Sequence, residues 1–305
     1  MAITDGVYPT MPVAYDNANR IDDRGIEALL AWYHEQGVDG IFALCQSTEI
    51  DCLSFEERFH LGRLVMKTNR NRVRIVISGI TAWPLSEQIE EAKRLASLEP
   101  DALVFLTNRV AGPEGTCFQK NMEALFRALP ESLPLGVYEC PRPYKKILSQ
   151  EDIQFLKESR RVSFIKDTCC DREQIKQRAA LTKGSAIRLY NANAATLLDS
   201  LRWGYVGYSG VMANFHPRLY SWLIQHKNEP MAETVQDYLA IASLIECRDY
   251  PVVCKRYLQR FEKIPMLPFS RVIEDRQPDS VNAELDALYR MTKTVEAALL
   301  TDMAQ

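Results

Sequence analysis

The chain has 305 residues, of which 47% are hydrophobic and 25% are charged, and its formal net charge at pH 7 is −3. This composition is typical of a globular protein with one large domain or two small ones, and it lacks the basic stripe of a nucleic-acid-binding protein. The sequence contains no run of about 18 apolar residues, so we expect no membrane span.

The N-terminal segment has no charged region followed by an apolar one, so no signal peptide is predicted. The eight cysteines form no CxxC pair, and the four histidines do not cluster with them at the spacing of a zinc site. Scattered cysteines in a chain of this size indicate reduced thiols. We therefore expect a cytoplasmic protein with no metal and no other cofactor.

Short β-rich runs alternate with amphipathic helical patterns over most of the chain. The predicted strands are Gly6–Met11, Gly40–Leu44, Arg74–Ser78, Ala102–Leu106, Leu135–Tyr138, Ser163–Lys166, Ala186–Tyr190 and Tyr205–Ser209. The predicted helices between them are Arg24–Gln36, Phe55–Thr68, Leu85–Ser97, Phe118–Ala128, Gln150–Ser159, Arg172–Leu181 and Ala194–Trp203. This alternation predicts a (β/α)8 TIM barrel. A doubly wound sheet is the alternative, but no GxGxxG follows the first strand.

Several predicted helices begin with capping signals, namely Asp22-Asp23, Ser54-x-x-Glu57 and Ser149-x-x-Asp152. After Pro217 the pattern changes to helices without strands. These helices are predicted at Leu219–His226, Ala232–Cys247, Pro251–Phe261 and Ser280–Leu299. We therefore predict a barrel domain over residues 1–228 and a C-terminal helical extension over residues 229–305.

Lys166 ends the apolar run Ser163-Phe164-Ile165, which is too short and too β-rich for a helix. In such barrels the chemistry lies at the C-terminal ends of the strands. Burial at a strand end disfavours the ammonium and lowers the pKa of a lysine, and a neutral amine can attack a ketone to form a Schiff base. The alternative is a lysine whose ammonium extends into water.

Tyr138 ends the neighbouring strand, and its phenol is either a proton shuttle beside the amine or a core side chain. The turn after the second strand contains Gln46, Ser47 and Thr48. Hydroxyl and backbone N–H groups in such a turn suit a carboxylate, although the segment is equally compatible with an ordinary turn.

Three more candidates for substrate binding follow from the same rule about strand ends. Asn193 follows the seventh predicted strand, and Ser209 ends the eighth. Arg142 lies in the loop after the fifth strand, close to Lys145 and Lys146. These cations form either a solvated loop or a clamp for an acidic substrate.

Together, these residues resemble the dihydrodipicolinate synthase / N-acetylneuraminate lyase family of pyruvate-dependent class I aldolases. The resemblance covers most of residues 4–217. It rests on the segments Gly6-Val7-Tyr8-Pro9-Thr10, Cys45-Gln46-Ser47-Thr48-Glu49, Tyr138-Glu139-Cys140-Pro141, Ile165-Lys166-Asp167-Thr168 and Gly204-x-x-Gly207 with Ala213-Asn214. It implies that Lys166 forms an imine with pyruvate or another 2-oxo acid, that Tyr138 relays protons, and that Ser47 and Thr48 hold the carboxylate.

The chain also departs from the family pattern. The usual Gly-Thr-Thr-Gly-Glu motif is replaced by Cys45-Gln46-Ser47-Thr48-Glu49, so an amide takes the place of the first hydroxyl. Synthases of the family carry a tyrosine on strand 4 that enters a neighbouring subunit's site, and here the aligned residue is Asn108. Their arginine for the second substrate aligns near Pro143, next to Arg142. Sialate lyases carry an acidic pair where this chain has Asn193-Ala194.

The leading hypothesis is a Schiff-base lyase or aldolase that acts on a 2-oxo acid, for example a keto-deoxy sugar acid. A 4-hydroxy-tetrahydrodipicolinate synthase, a hydratase-aldolase and a sugar-acid dehydratase are alternatives, and a non-catalytic metabolite-binding protein is the alternative of another class. The resemblance implies a homodimer or homotetramer. The apolar segment Val110-Ala111-Gly112-Pro113 is expected either in the interface or folded over its own barrel.

Overall fold

The computed structural model describes residues 3–274 and 279–302. Eight parallel strands form one sheet in the order β1-β8-β7-β6-β5-β4-β3-β2. Hydrogen bonds from Asp39 N to Val7 O (3.2 Å), from Phe42 N to Pro9 O (2.9 Å) and from Met11 N to Phe42 O (3.0 Å) join the first strand segment to β2. The sheet therefore curls into a barrel, which confirms the predicted fold and excludes the doubly wound alternative.

The strands of the described chain are short and lie near the predicted positions. They are β1 Gly6–Val7, β2 Gly40–Ala43, β3 Arg74–Ile77, β4 Ala102–Leu106, β5 Leu135–Tyr138, β6 Val162–Asp167, β7 Arg188–Asn191 and β8 Gly207–Tyr208. The predictions for β1 and β8 were too long. After Val7 the chain turns towards β2, and Tyr205 lies before β8, where its hydroxyl donates to Asp167.

The helices also follow the predicted pattern. They are α1 Asp23–Gln36, α2 Phe55–Asn69, α3 Leu85–Ala96, α4 Thr107–Ala111, α5 Phe118–Ala128, α6 Gln150–Ser159, α7 Arg172–Thr182, α8 Leu197–Trp203, α9 Pro217–Gln225, α10 Ala232–Glu246, α11 Val252–Phe261 and α12 Asp279–Asp302. The predicted capping boxes at Ser54 and Ser149 are present, and the Asp22 carboxylate caps α1. These caps satisfy N–H groups that a helix cannot pair internally.

Helix α4 was not predicted, because five residues are too few for a helical period. It places Val110 and Ala111 in the core of the subunit, at 1% and 0% exposure. The expectation that this apolar segment forms a subunit interface is therefore wrong for these two residues. The segment folds over its own barrel, because that burial removes the same apolar surface from water.

The C-terminal helices pack directly onto the barrel. Gln236 of α10 accepts a hydrogen bond from Leu198 N (2.9 Å) and donates one to Ala194 O (2.8 Å). His216, Glu246 and Thr292 meet in a buried cluster that ties α10 and α12 to the start of α9. The division into a barrel (1–228) and an extension (229–305) stays a prediction, whose outermost residues and residues 275–278 lie outside the described chain.

Candidate active site

A cavity of about 980 Å³ opens at the C-terminal ends of the strands. Of the residues predicted for the site, Lys166, Tyr138, Gln46, Ser47 and Arg142 line it. Other lining residues come from the loop after β2, from α4, and from the segments before and after α11. They include Glu49, Asp51, Arg109, Tyr250 and Val272. The cavity thus lies where a barrel of this kind carries its chemistry.

Lys166 is 3% exposed and lies on β6 directly beside Tyr138 of β5. Its Nζ lies 4.3 Å from the centroid of the Tyr138 ring and 5.2 Å from that of Phe42. Within the described chain, no carboxylate forms an ion pair with Lys166. Burial lowers the pKa of the Lys166 ammonium from its ordinary value of 10.5 to about 8. Near neutral pH, some of the Lys166 amino groups are therefore uncharged and able to act as nucleophiles.

Tyr138 is 4% exposed, and its ring packs edge-on against Phe42 at 5.6 Å between centroids. Burial raises the pKa of its phenol well above 10, and its hydroxyl interacts with the Cys140 thiol. The Cys140 Sγ in turn donates to Gln46 Oε1 over 3.7 Å. The phenol stays protonated and lies at the cavity, so it can donate a proton to a reacting oxygen.

A buried ion-pair network fixes the strand ends that carry Tyr138 and Lys166. Arg178 of α7 donates to both carboxylate oxygens of Glu139 (2.7 and 3.1 Å) and pairs with Asp167 at 2.8 Å. Burial raises the pKa of Glu139. For Asp167, burial acts in the same direction, but the Arg178 charge together with the hydrogen bonds from Tyr205 and Cys169 lowers the pKa overall. Thr168 N also donates to Glu139 Oε2 at 2.9 Å. Each of the two candidate catalytic residues is thus followed by a residue that the network holds in place.

The turn after β2 brings only part of the predicted binding set to the cavity. Ser47 Oγ donates to Thr10 Oγ1 at 2.9 Å, and Ser47 lines the cavity with Gln46. Thr48 is fully buried, and its hydroxyl donates to Met11 O (2.7 Å) and accepts from Cys45 N (3.2 Å). The Thr48 side chain therefore ties the turn to the β1 segment and does not face the cavity.

The other predicted binding residues take different positions. Ser209 is fully buried and does not line the cavity, and its hydroxyl donates to Tyr8 O at 3.0 Å. Asn193 caps the turn at residues 194–196 through Thr196 N (3.0 Å) and does not line the cavity. Arg142 does line the cavity, at its exposed rim. Lys145 also lines the cavity, whereas Lys146 pairs with Asp152 at 3.0 Å.

Asn108 is the residue that the family resemblance aligns with the relay tyrosine of the synthases, and its side chain binds backbone groups. Its Nδ2 donates to the carbonyl oxygens of Cys140 (3.0 Å), Arg142 (2.7 Å) and Tyr144 (2.6 Å). The residue is fully buried and does not line the cavity. It therefore shapes the loop after β5 and offers no proton.

The next residue, Arg109, reaches the cavity instead. It pairs with Asp51 at 2.7 Å and lies 4.2 Å above the Trp83 ring. The pair neutralises the charge of Asp51 at the cavity wall.

The sequence interpretation missed the contribution of the C-terminal part of the chain. Glu49, which has a left-handed backbone, pairs with Lys255 of α11 at 2.6 Å and accepts from Ser270 Oγ (3.0 Å) and Arg271 N (2.7 Å). Tyr250 lines the cavity from the loop before α11. No local sequence pattern predicts these contacts, because the partners are some two hundred residues apart along the chain.

The described residues contain no group of three or more His, Cys, Asp or Glu side chains arranged to hold a metal ion. No helix among them is long and apolar enough to cross a bilayer. The site is thus a barrel cavity with a buried lysine and an adjacent tyrosine, which is an arrangement suited to covalent catalysis on a carbonyl compound.

Comparisons with known proteins agree with that class. The profile of the dihydrodipicolinate synthetase family matches residues 4–261, so the chain belongs to this family. It is a class I aldolase or lyase of the pyruvate-dependent type, in which a lysine forms the Schiff base.

Individual relatives are distant. A 4-hydroxy-tetrahydrodipicolinate synthase of Anaplasma marginale (strain St. Maries) is 24% identical over 215 residues, which cover 70% of each chain. A protein of the same name from Methanocaldococcus jannaschii is 25% identical over 254 residues, which cover 81% of this chain and 86% of the relative.

Solved structures show the same fold. The Ruminococcus gnavus sialic acid aldolase has a TM-score of 0.82 at 18% identity, with 96% of this chain and 98% of the aldolase covered. An Escherichia coli K12 prophage protein of the dihydrodipicolinic acid synthase family, solved in complex with pyruvate, has a TM-score of 0.83 at 20% identity, with 96% and 99% covered.

Proposed function

We propose that this protein is a Schiff-base lyase or aldolase in which Lys166 forms an imine with pyruvate or another 2-oxo acid. The observation that carries the proposal is the buried Lys166 ammonium with its pKa of about 8, placed on the cavity wall beside Tyr138 without a carboxylate partner in the described chain. The neutral amine attacks the ketone carbon, and loss of water leaves a protonated imine.

The protonated imine then withdraws electrons from the neighbouring carbon. In the cleavage direction, the carbon two bonds from the imine carbon carries a hydroxyl, and the proton of this hydroxyl passes to a base. That carbon leaves as an aldehyde, and the electron pair of the broken C–C bond forms the enamine. Protonation of the enamine then gives the imine of the smaller 2-oxo acid. Water releases this acid and restores Lys166. The reverse sequence forms a C–C bond. In this scheme the Tyr138 phenol moves protons, and Ser47 with Gln46 holds the substrate carboxylate.

Covalent trapping tests the proposal. Incubation with pyruvate and borohydride is expected to add one reduced pyruvate per chain, on the peptide that contains Lys166. Lys166→Ala should abolish the adduct, while Lys145→Ala, which removes another lysine of the cavity wall, should retain it. An unchanged mass at saturating pyruvate would eliminate pyruvate as the partner, and no adduct with any 2-oxo acid would favour a non-catalytic binding protein.

The charges around the cavity indicate the class of compound that the enzyme cleaves. Arg142 and Lys145 line the cavity, whereas Asp51 is neutralised by Arg109 and Glu49 by Lys255. This distribution supports an acidic substrate such as a keto-deoxy sugar acid. A screen of keto-deoxy acids for pyruvate release, with aldehydes tested in the reverse direction, identifies it.

The alternative is 4-hydroxy-tetrahydrodipicolinate synthase, the name of several curated relatives. Asn108 argues against it, because its amide is occupied by three backbone carbonyls and supplies no phenol. We expect condensation of pyruvate with aspartate semialdehyde to be weak. An efficiency of about 10⁴ M⁻¹s⁻¹ or more would favour the synthase.

We also propose a homodimer or homotetramer. Ile241 and Leu244 of α10 are 67% and 75% exposed, and apolar side chains of this size are better accommodated in an interface. Light scattering at micromolar concentration tests the assembly, and a mass near the single-chain value of 34.9 kDa would contradict it.

A further inference from the structure

Tyr250 brings a second phenol to the cavity from outside the barrel. It lies in the loop between α10 and α11, far along the chain from the last strand, and it lines the same cavity as Lys166. Tyr138 also lines this cavity, so the two phenols border a common space.

Hydrogen bonds fix the orientation of the Tyr250 hydroxyl. The amide of Asn214 accepts from Tyr33 OH through its oxygen, which turns its nitrogen towards the cavity wall. That nitrogen donates to Thr10 O at 2.9 Å and to Tyr250 OH at 3.3 Å. The Tyr250 oxygen therefore acts as an acceptor towards Asn214, so its own hydrogen is directed to another acceptor.

Two further hydroxyl groups lie beside it. The Ser47 hydroxyl donates to Thr10 Oγ1 at 2.9 Å, and the Tyr250 hydroxyl interacts with both side chains. Hydroxyl hydrogens rotate about the C–O bond, so these groups can turn from one another to a bound carboxylate, which is the stronger acceptor. Ser47 and Tyr250 line the cavity together. Burial raises the pKa of Tyr250 well above 10, so its phenol remains a donor throughout the neutral range.

The donors of this wall suit an anionic oxygen. The two acidic side chains that also line the cavity, Glu49 and Asp51, already have cationic partners in Lys255 and Arg109. A hydrogen bond from a neutral donor to a carboxylate is stronger than one to a neutral acceptor, and it is favoured further where water is excluded. A bound carboxylate would therefore be held here without a dedicated cation.

We propose that Tyr250 binds the carboxylate of the 2-oxo acid together with Ser47, so that the C-terminal helices complete the substrate site within one chain. This inference rests on the proposed imine at Lys166, which sets the position of the ketone carbon. Tyr250 is then a binding residue that selects 2-oxo acids over uncharged ketones.

The experiment compares a substrate that has the carboxylate with one in which it is masked. Tyr250→Phe removes one oxygen and keeps the ring. The half-saturating concentration for borohydride trapping is measured with pyruvate and with methyl pyruvate. We expect the value for pyruvate to rise about 10-fold or more in the variant. The value for the uncharged ester should change less than about 2-fold by the same reasoning.

Matched variants show whether the effect belongs to this hydroxyl. Tyr220→Phe changes another buried tyrosine of the C-terminal helices that does not line the cavity, and it should shift neither value. Ser47→Ala should shift the pyruvate value selectively, as Tyr250→Phe does. Tyr250→His, which keeps an N–H donor, should recover part of the lost affinity and provides a second test if the phenylalanine variant folds poorly.

The outcomes separate this inference from the proposed function. If the wild-type protein traps no 2-oxo acid, the imine and the carboxylate site both fail. If the wild type traps pyruvate but Tyr250→Phe shifts pyruvate and its ester equally, Tyr250 acts on the covalent step or on the fold, and only the present inference is overturned. Unchanged values for both compounds would overturn it as well.

Discussion

The two walls of the cavity are each anchored by a buried ion pair, but they are built differently. On the β5–β6 wall, Arg178 binds Glu139 and Asp167, which directly follow Tyr138 and Lys166 in the chain. On the β2 wall, Glu49 binds Lys255 and the segment at Ser270–Arg271, which come from the far end of the chain. The carboxylates of the first wall come from two adjacent strands, whereas the second wall depends on contacts between residues that are far apart in the sequence.

The comparison predicts that loss of the cation costs more on the β5–β6 wall. Arg178→Met leaves two buried carboxylates close together and also removes the hydrogen bond to Leu148 O. We expect the free energy of unfolding to fall by about 3–5 kcal/mol. Urea unfolding followed by tryptophan fluorescence measures it. Arg127→Met, which breaks the exposed pair with Glu123, is the control and should change little.

Lys255→Met is expected to cost less than Arg178→Met, about 3 kcal/mol at most. The remaining Glu49 carboxylate still accepts hydrogen bonds from Ser270 Oγ and Arg271 N, so it is not left without donors. The same urea titration compares the two variants. A larger loss for Lys255→Met would reverse the proposed ranking of the two walls.

Tyr138→Phe tests chemistry on the local wall. The ring and its contact with Phe42 remain, so stability should change by no more than about 1 kcal/mol. Hydrogen exchange into the methyl group of pyruvate in D₂O, followed by NMR, should slow about 10²-fold, which corresponds to about 2.7 kcal/mol of activation free energy. Tyr190→Phe, a buried barrel residue outside the cavity, is the control. Equal exchange rates in wild type and Tyr138→Phe would make Tyr138 a packing residue.

The smallest of the expected effects is the change in the trapping rate with pH. Only the neutral amine of Lys166 attacks the ketone, and a pKa of about 8 leaves about a tenth of it neutral at pH 7 and most of it neutral at pH 9. The initial rate of adduct formation, measured by brief incubation and a borohydride quench, should rise about 10-fold between these values. A midpoint near 10 would indicate a lysine that is solvated like one at the surface.

The difference between the walls also explains which parts of the site were predictable. Lys166 and Tyr138 were found because each ends an apolar run, and the barrel rule assigns chemistry to such ends. Helix α4 was missed because its five residues show no periodicity. Thr48, Ser209 and Asn193 share the positions of the binding residues in the chain, but their side chains bind backbone groups or a turn instead of facing the cavity. The direction of a side chain at a strand end depends on residues from other parts of the chain, and a local sequence pattern does not identify them.

The contribution of Tyr250 was unpredictable for the same reason. Its segment shows only the beginning of a helix, and its position at the cavity follows from how α10 and α11 pack onto the barrel. The anchor at Glu49 depends on Lys255 and Arg271, which lie more than two hundred residues further along the chain.

The ion pair between Glu49 and Lys255 also has a consequence for the order of events during biosynthesis. All eight strands have been translated once Tyr208 is made, yet Lys255 and the Ser270–Arg271 segment have still to leave the ribosome. At about 5–20 residues per second, the nascent barrel waits on the order of seconds with the Glu49 carboxylate lacking its cation. The β2 side of the cavity therefore gains its ion pair late in synthesis, although most of the cavity lining is synthesised early.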